Sequence, residues 1–194
     1  MNLLRSNIER TIAQPISDIE FEKFSKLIFE RSFDKKKHIV EAGAHCNYVF
    51  FIEEGSAYSY LTDDSGDKHV VQLAIEGHWI TDLYGFFSGK NANYTVETLE
   101  PIKVLALNKE SFQKACDTIP VFDRFFRILI QNAYVNLQQR IVHANSDDAE
   151  MRYEEFSKDH PNFIQRIPQY IIASYLGIKP QSLSRIRKDI AKKG

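Results

Sequence analysis

Residues 38–89 read HIVEAGAHCNYVFFIEEGSAYSYLTDDSGDKHVVQLAIEGHWITDLYGFFSG, and their texture decides the fold. Short runs of Val, Ile, Phe and Tyr are punctuated by Gly43, Gly55, Gly66, Gly77 and Gly89, at intervals of 12, 11, 11 and 12 residues. Strand, turn, strand at such spacing predicts an all-β barrel or sandwich, with glycine supplying turn conformations that other residues resist. Asp63-Asp64-Ser65-Gly66-Asp67 is then a hairpin turn. Its spacing fails the EF-hand calcium loop, which needs a distal Glu. Upstream, Phe21, Phe24, Leu27 and Ile28 recur at helical period after a start at Ser17-Asp18, so a short amphipathic helix reaching Phe29 precedes the strands.

Downstream of the strands, which end near Leu107, Asn108 to Cys116 reads as a brief helix. Asp117-Thr118 and Pro120 then open a long one running to about Ala144. One apolar stripe passes through Phe122, Phe126, Leu129, Ala133, Leu137 and Ile141, the other through Val121, Phe125, Ile128, Val135 and Val142. One stripe is expected on the barrel. The other, near heptad spacing and interrupted by Asn132 and Gln139, suits a two-fold pairing of helices, hence a homodimer. Asp147 and Glu150, at capping-box spacing, begin a helix to about Ser157, and Lys158-Asp159-His160-Pro161 marks a boundary.

Apolar residues make up 43% of the chain and charged residues 26%, ordinary globular usage. No apolar run reaches the roughly 20 residues of a membrane helix, and MNLLRSNIER has no signal-peptide stretch, so a cytoplasmic protein with no membrane partner is expected. Cys46 and Cys116 are separated thiols, which disfavours a disulfide framework, an iron–sulfur switch or a Cys-rich metal site. The net charge of −1 hides an asymmetry: residues 165–194 hold seven Lys or Arg against Asp189 alone, +6, leaving −7 for the first 164 residues.

Within that basic end, QYIIASYLGIKPQSLSRI (169–186) has the layout of a helix-turn-helix. Ala173 is small where two helices cross, Gly177 can take the left-handed turn, and Leu176, Ile178, Leu183 and Ile186 form a small core. Pro180 suits a first helical turn. Lys179, Gln181, Ser182, Arg185 and Lys188 are left to face outward, where Arg can read guanine, Gln adenine, and Lys phosphate in a major groove.

With these elements in order, the chain resembles the Crp/Fnr family of regulators. The resemblance implies an α+β chain: an N-terminal β-roll (a double-stranded β-helix, or cupin-like jelly roll) with flanking helices, a long dimerisation helix and a C-terminal all-α helix-turn-helix. It divides the sequence into a cyclic-nucleotide-binding-like sensor at 1–117, the long helix at 118–145 and a DNA-binding domain at 146–194. GIKPQSLSRIRK (177–188) looks like the family's recognition helix, with Gln181, Ser182 and Arg185 at its base-contacting positions. GHWITDLYGFF (77–87) looks like its phosphate-binding cassette, with Asp82 in the acidic position and Leu83 beside it. Ala92 and Asn93 stand where the family's Arg-Ser pair would hold the cyclic phosphate, and Lys90 is a poor geometric substitute.

Cyclic AMP binding is therefore expected to be lost or poor, leaving an altered small effector or none, and no cofactor is assigned. His78 is read as a surface or hydrogen-bonded histidine, not as a haem ligand. The sequence stops at Gly194, directly after the recognition helix, without the family's hairpin wing. DNA binding is accordingly expected to lean on the last helix and to be strongly salt-sensitive. Three classes of function compete. The first is a transcription regulator whose partners are an operator duplex, a second copy and RNA polymerase; the second is a small-ligand module without DNA-binding activity. An enzyme is the third, and no nucleophile elbow, phosphate-cradling loop or metal-spaced cluster in the sequence supports it.

Overall fold

The protein's structure, a computed structural model, describes residues 1–193. It opens with α1 (Asn2–Ile12), which buries Leu4, Ile8 and Ile12 at one-turn spacing. Asn7 on the same helix donates to the Gly77 carbonyl (2.9 Å) and accepts from Trp79 Nε1 (3.2 Å), fixing α1 to the strands. α2 (Asp18–Ser25) starts with the full capping box of Ser17 and Glu20. It stops one turn earlier than its apolar period suggests. Phe29–Phe33 instead forms β1, because Phe29 to Phe33 pair in register with Ala106 to Ile102. A partner distant in sequence overrides the local helical pattern there.

Two four-stranded antiparallel sheets make the roll. The remaining strands are β2 (His38–Val40), β3 (Tyr48–Glu54), β4 (Ala57–Thr62), β5 (Lys68–Ala74), β6 (Trp79–Ile80), β7 (Thr95–Thr98) and β8 (Ile102–Asn108). One sheet runs β1-β8-β3-β6, the other β2-β7-β4-β5, which leaves β5 as an edge. The five glycines of the sequence period all have positive φ. Gly55 is additionally fixed by space: a Cβ there would sit 2.6 Å from the Pro101 carbonyl oxygen. The Asp63–Asp67 turn is held by the Asp63 carboxylate, which accepts from the Ser65 and Asp67 amides at 2.9 and 3.0 Å.

After α3 (Leu83–Ser88) and α4 (Lys109–Thr118) comes α5, a 27-residue helix from Pro120 to Ser146. The two stripes expected on it do not divide by face. They divide by length. Val121, Phe122, Phe125 and Phe126, drawn from both stripes, are buried against the roll, with Phe122 stacked on Phe24 at 3.8 Å. Val135, Leu137, Ile141 and Val142, again from both, are exposed, as is Tyr134 beside them. The helix is anchored by its buried N-terminal third, while these apolar side chains further along are exposed and Arg140 reaches back to the roll.

α6 (Ala149–Asp159), α7 (Pro161–Arg166), α8 (Gln169–Tyr175) and α9 (Pro180–Lys193) complete the chain. The cap of α6 is Asp148, whose side chain accepts from the Met151 amide, and not Asp147 as its spacing suggested. α7 follows directly on the boundary at Lys158–Pro161, with Pro161 at its first turn and Phe163 buried.

Candidate nucleic-acid interface and the cassette

α8 ends in a Schellman motif. Gly177 takes φ 65, its amide bonds the Ser174 carbonyl (3.1 Å), and the Ile178 amide bonds the Ala173 carbonyl (2.8 Å). Ala173 is fully buried and Ile178 nearly so, which gives the motif its apolar contact. Leu176, Ile178, Leu183 and Ile186 are buried as their pattern implied, and they join Tyr153, Phe156, Phe163, Ile167, Ile171 and Ile172 in one core. That core sets the roll angle of α9 and therefore what α9 shows to solvent.

At roughly 100° per residue, Gln181, Arg185 and Lys188 share the side of α9 opposite Leu183 and Ile186. All three are exposed, as is Lys179 just before the helix. Ser182 lies at the edge of this face and is half-buried. Lys192 continues the same face, one turn beyond Lys188. The sequence reading passed over it, although the recurrence 181, 185, 188, 192 carries the signal. Arg166, by contrast, is turned inward: it pairs with Glu76 and with Glu100 Oε1 (2.6 Å) on the roll. Burial opposes ionisation of Glu76, but Arg166 and the Gly55 amide outweigh it and hold its pKa below the ordinary value.

The helix-turn-helix also docks on the roll. Ser174 Oγ accepts from the Val70 amide (3.0 Å) and donates to the Lys68 carbonyl (2.8 Å), so it caps backbone groups on edge strand β5. Around it, Tyr58, Tyr60, Val70, Leu73 and Ile75 share a buried cluster with the core of α8 and α9. From α5, Arg140 donates to the Val71 carbonyl (2.5 Å) and lies over the Tyr175 ring. His78 packs edge-on against Phe163 and bonds the Ile75 carbonyl through Nδ1 (3.2 Å). Burial pushes its pKa below the ordinary value.

The cassette sits elsewhere on the roll. Asp82 is fully buried and caps α3, with Oδ1 accepting from the Gly85 amide (2.5 Å) and Oδ2 from the Asn93 (2.9 Å) and Tyr94 (2.8 Å) amides. Both carboxylate oxygens are thus engaged by the chain's own backbone. Ala92 is buried, and its amide and carbonyl bond the Ala44 carbonyl and Gly43 amide (2.8 Å each). Gly85 lies so close that an added Cβ would come within 3.1 Å of the Ala92 Cα. Leu83, Asn93 and Lys90 are exposed. Of the four cassette residues singled out in sequence, Asp82 and Ala92 are brought together inside, while Leu83 and Asn93 point out. Of the two thiols, Cys46 is buried beside Thr81 Oγ1 (3.1 Å). Burial pushes Cys116 up to about 11.

A β-roll that carries a long helix and a docked helix-turn-helix with a cationic outer face is the architecture that the sequence resemblance implied. Comparison with known proteins agrees. Residues 30–118 match the family model of the cyclic nucleotide-binding domain. The transcriptional regulatory protein btr of Bordetella pertussis is 22% identical over 187 residues, covering 90% of this chain and 76% of that protein. FixK2 of Bradyrhizobium japonicum superposes with a TM-score of 0.74 at 17% identity, covering 86% of both chains. The c-di-GMP-responsive global regulator CLP of Xanthomonas campestris gives 0.72 at 13% identity, covering 92% of this chain and 93% of that one. The chain shares the fold of these regulators, and its residues 30–118 resemble a cyclic nucleotide-binding domain. Among the described residues no helix is long and apolar enough to cross a membrane.

Proposed function

We propose that the protein is a dimeric, cytoplasmic transcription regulator that grips operator DNA through α9. Residues 1–117 serve as sensor, 118–145 as dimerisation helix and 146–194 as DNA-binding domain. Lys179, Gln181, Ser182, Arg185 and Lys188 form the reading surface, extended by Lys192. The observation that carries this is the placement of Gln181, Arg185 and Lys188 on one exposed face, directly opposite the core that fixes the helix. The exposed apolar half of α5 supports pairing with a second copy, which would set two α9 helices about one DNA turn apart. RNA polymerase is the partner such a regulator would engage next.

Asp82, Leu83, Ala92 and Asn93 make a degenerate ligand pocket. The buried carboxylate is engaged by backbone amides, and Ala92 offers no charge to a cyclic phosphate, so cyclic AMP binding is lost or poor. CLP, a structural relative named as responsive to c-di-GMP, illustrates a different effector on the same fold.

The deciding experiment is enrichment of fragmented genomic DNA on the purified protein at moderate salt. The wild type recovers a two-fold symmetric site; Arg185→Ala loses about 10- to 100-fold in specific retention, the worth of one bidentate base contact of roughly 1–3 kcal/mol. Equal retention of all sequences by both proteins would refute base reading by Arg185.

A further inference from the structure

We infer that His143, Asp147 and Glu155 form a divalent-cation site, suited to zinc, that staples the end of α5 to α6 beneath the helix-turn-helix. The three side chains come from both sides of the hinge: His143 from the last turn of α5, Asp147 from its cap, and Glu155 from the second turn of α6. One ligand atom from each lies within 4.8 Å of the others. His143 Nδ1 bonds the Asp147 carboxylate and stands 3.6 Å from Glu155 Oε2. A tetrahedral zinc with bonds of about 2.0–2.2 Å spaces its donors roughly 3.3–3.6 Å apart, so the side chains need only small rotations to receive it.

The donor set favours zinc in particular. Imidazole nitrogen and carboxylate oxygen are both zinc ligands, whereas calcium and magnesium take oxygen alone. Side-chain exposures of 43% for His143 and 53% for Glu155 leave room for a solvent ligand at the fourth position.

The position gives the site a consequence. Arg152 donates to the Asp147 carbonyl (2.6 Å) and to the Leu176 carbonyl (3.0 Å), the residue before the helix-turn-helix glycine. A cation that fixes Asp147 therefore fixes the anchor through which α6 holds the turn. α6 itself belongs to the DNA-binding core through Tyr153 and Phe156. Zinc would lock the angle between the long helix and the reading unit.

The test uses the full chain, stripped by chelator and titrated with zinc against a chromophoric competitor, without DNA. Its failure is thereby separate from failure of the DNA-binding reading. One zinc per chain is expected, undisturbed by excess magnesium or calcium. His143→Gln and Glu155→Gln should each weaken binding at least tenfold, while His69→Gln, on the roll, leaves it unchanged. Hydrogen exchange at the Met151 and Arg152 amides should slow on zinc addition in the wild type and not in the two hinge variants. Both are half-exposed positions, and metal-free thermal unfolding verifies their fold. Absence of zinc binding by the wild type, or hinge variants that bind and slow as the wild type does, would overturn the site.

Discussion

The cassette and the docked edge of β5 are both places where the roll has backbone groups to satisfy, and they solve the problem in opposite ways. At the cassette, a single buried carboxylate from the roll itself takes three amides, and the neighbouring Gly85 and Ala92 close over it. At β5 the Val70 amide and Lys68 carbonyl are met by Ser174, which arrives more than 100 residues later on a separate unit. One arrangement is internal to the roll; the other is supplied by a separate helical unit.

The sharpest way to break this contrast is Asp82→Ala. One buried and two part-buried amides would lose their acceptor, at about 1–3 kcal/mol for a buried group left unpaired and less where water can reach, together with the cap of α3, so a loss of about 3 kcal/mol is expected. Urea unfolding should show the loss directly. Unchanged stability would mean that the carboxylate is held for a ligand after all, and the two regions would be alike.

Ser174→Ala probes the other side and should cost less, about 1–2 kcal/mol, felt by docking more than by the roll. Faster exchange of the Val70 amide with an unshifted unfolding midpoint for the roll is the expected signature. A loss of roll stability equal to the docking loss would show the two units to be one cooperative body.

The smallest effect concerns pH. His78 is buried against Phe163, with Arg10 and His160 adding repulsion, so its folded pKa lies below the ordinary 6.5. The neutral ring is the one the docked state accepts. Its contribution is complete above pH 6.5 and is lost as pH falls below that value. His143, whose pKa Asp147 raises, works in the opposite sense, contributing at low pH and fading as pH rises above its ordinary value. Comparing wild type with His78→Gln isolates the first: Val70 exchange should accelerate on acidification in the wild type and less so in the variant.

What was legible in the sequence was what short-range physics specifies. The five turn glycines and Gly177 declare positive φ by their identity, and the helix-turn-helix core declares itself by spacing. Asp82 and Ala92 were found by position, but their burial and the three amides came only with the fold, because Asn93 and Tyr94 reach Asp82 across a loop. α1 carries Leu4, Ile8 and Ile12 in plain period, yet a segment scanned for a leader is easily passed over as a helix. Helical spacing through Leu27 and Ile28 misled about Phe29, since strand β8 decides there. The docking of α8 on β5 and the division of α5 by length had no local signal. Both depend on where the chain runs after it leaves the roll.

The capping of β5 has a further side. An edge strand with unpaired amides and carbonyls is a template for another strand, and Ser174 withholds it for as long as α8 stays in place. Without α8, that edge and the Tyr58 and Tyr60 rings beside it would be bared together. On the proposed role in DNA reading, a helix-turn-helix that left the roll would therefore expose the protein to self-association, and docking guards against it.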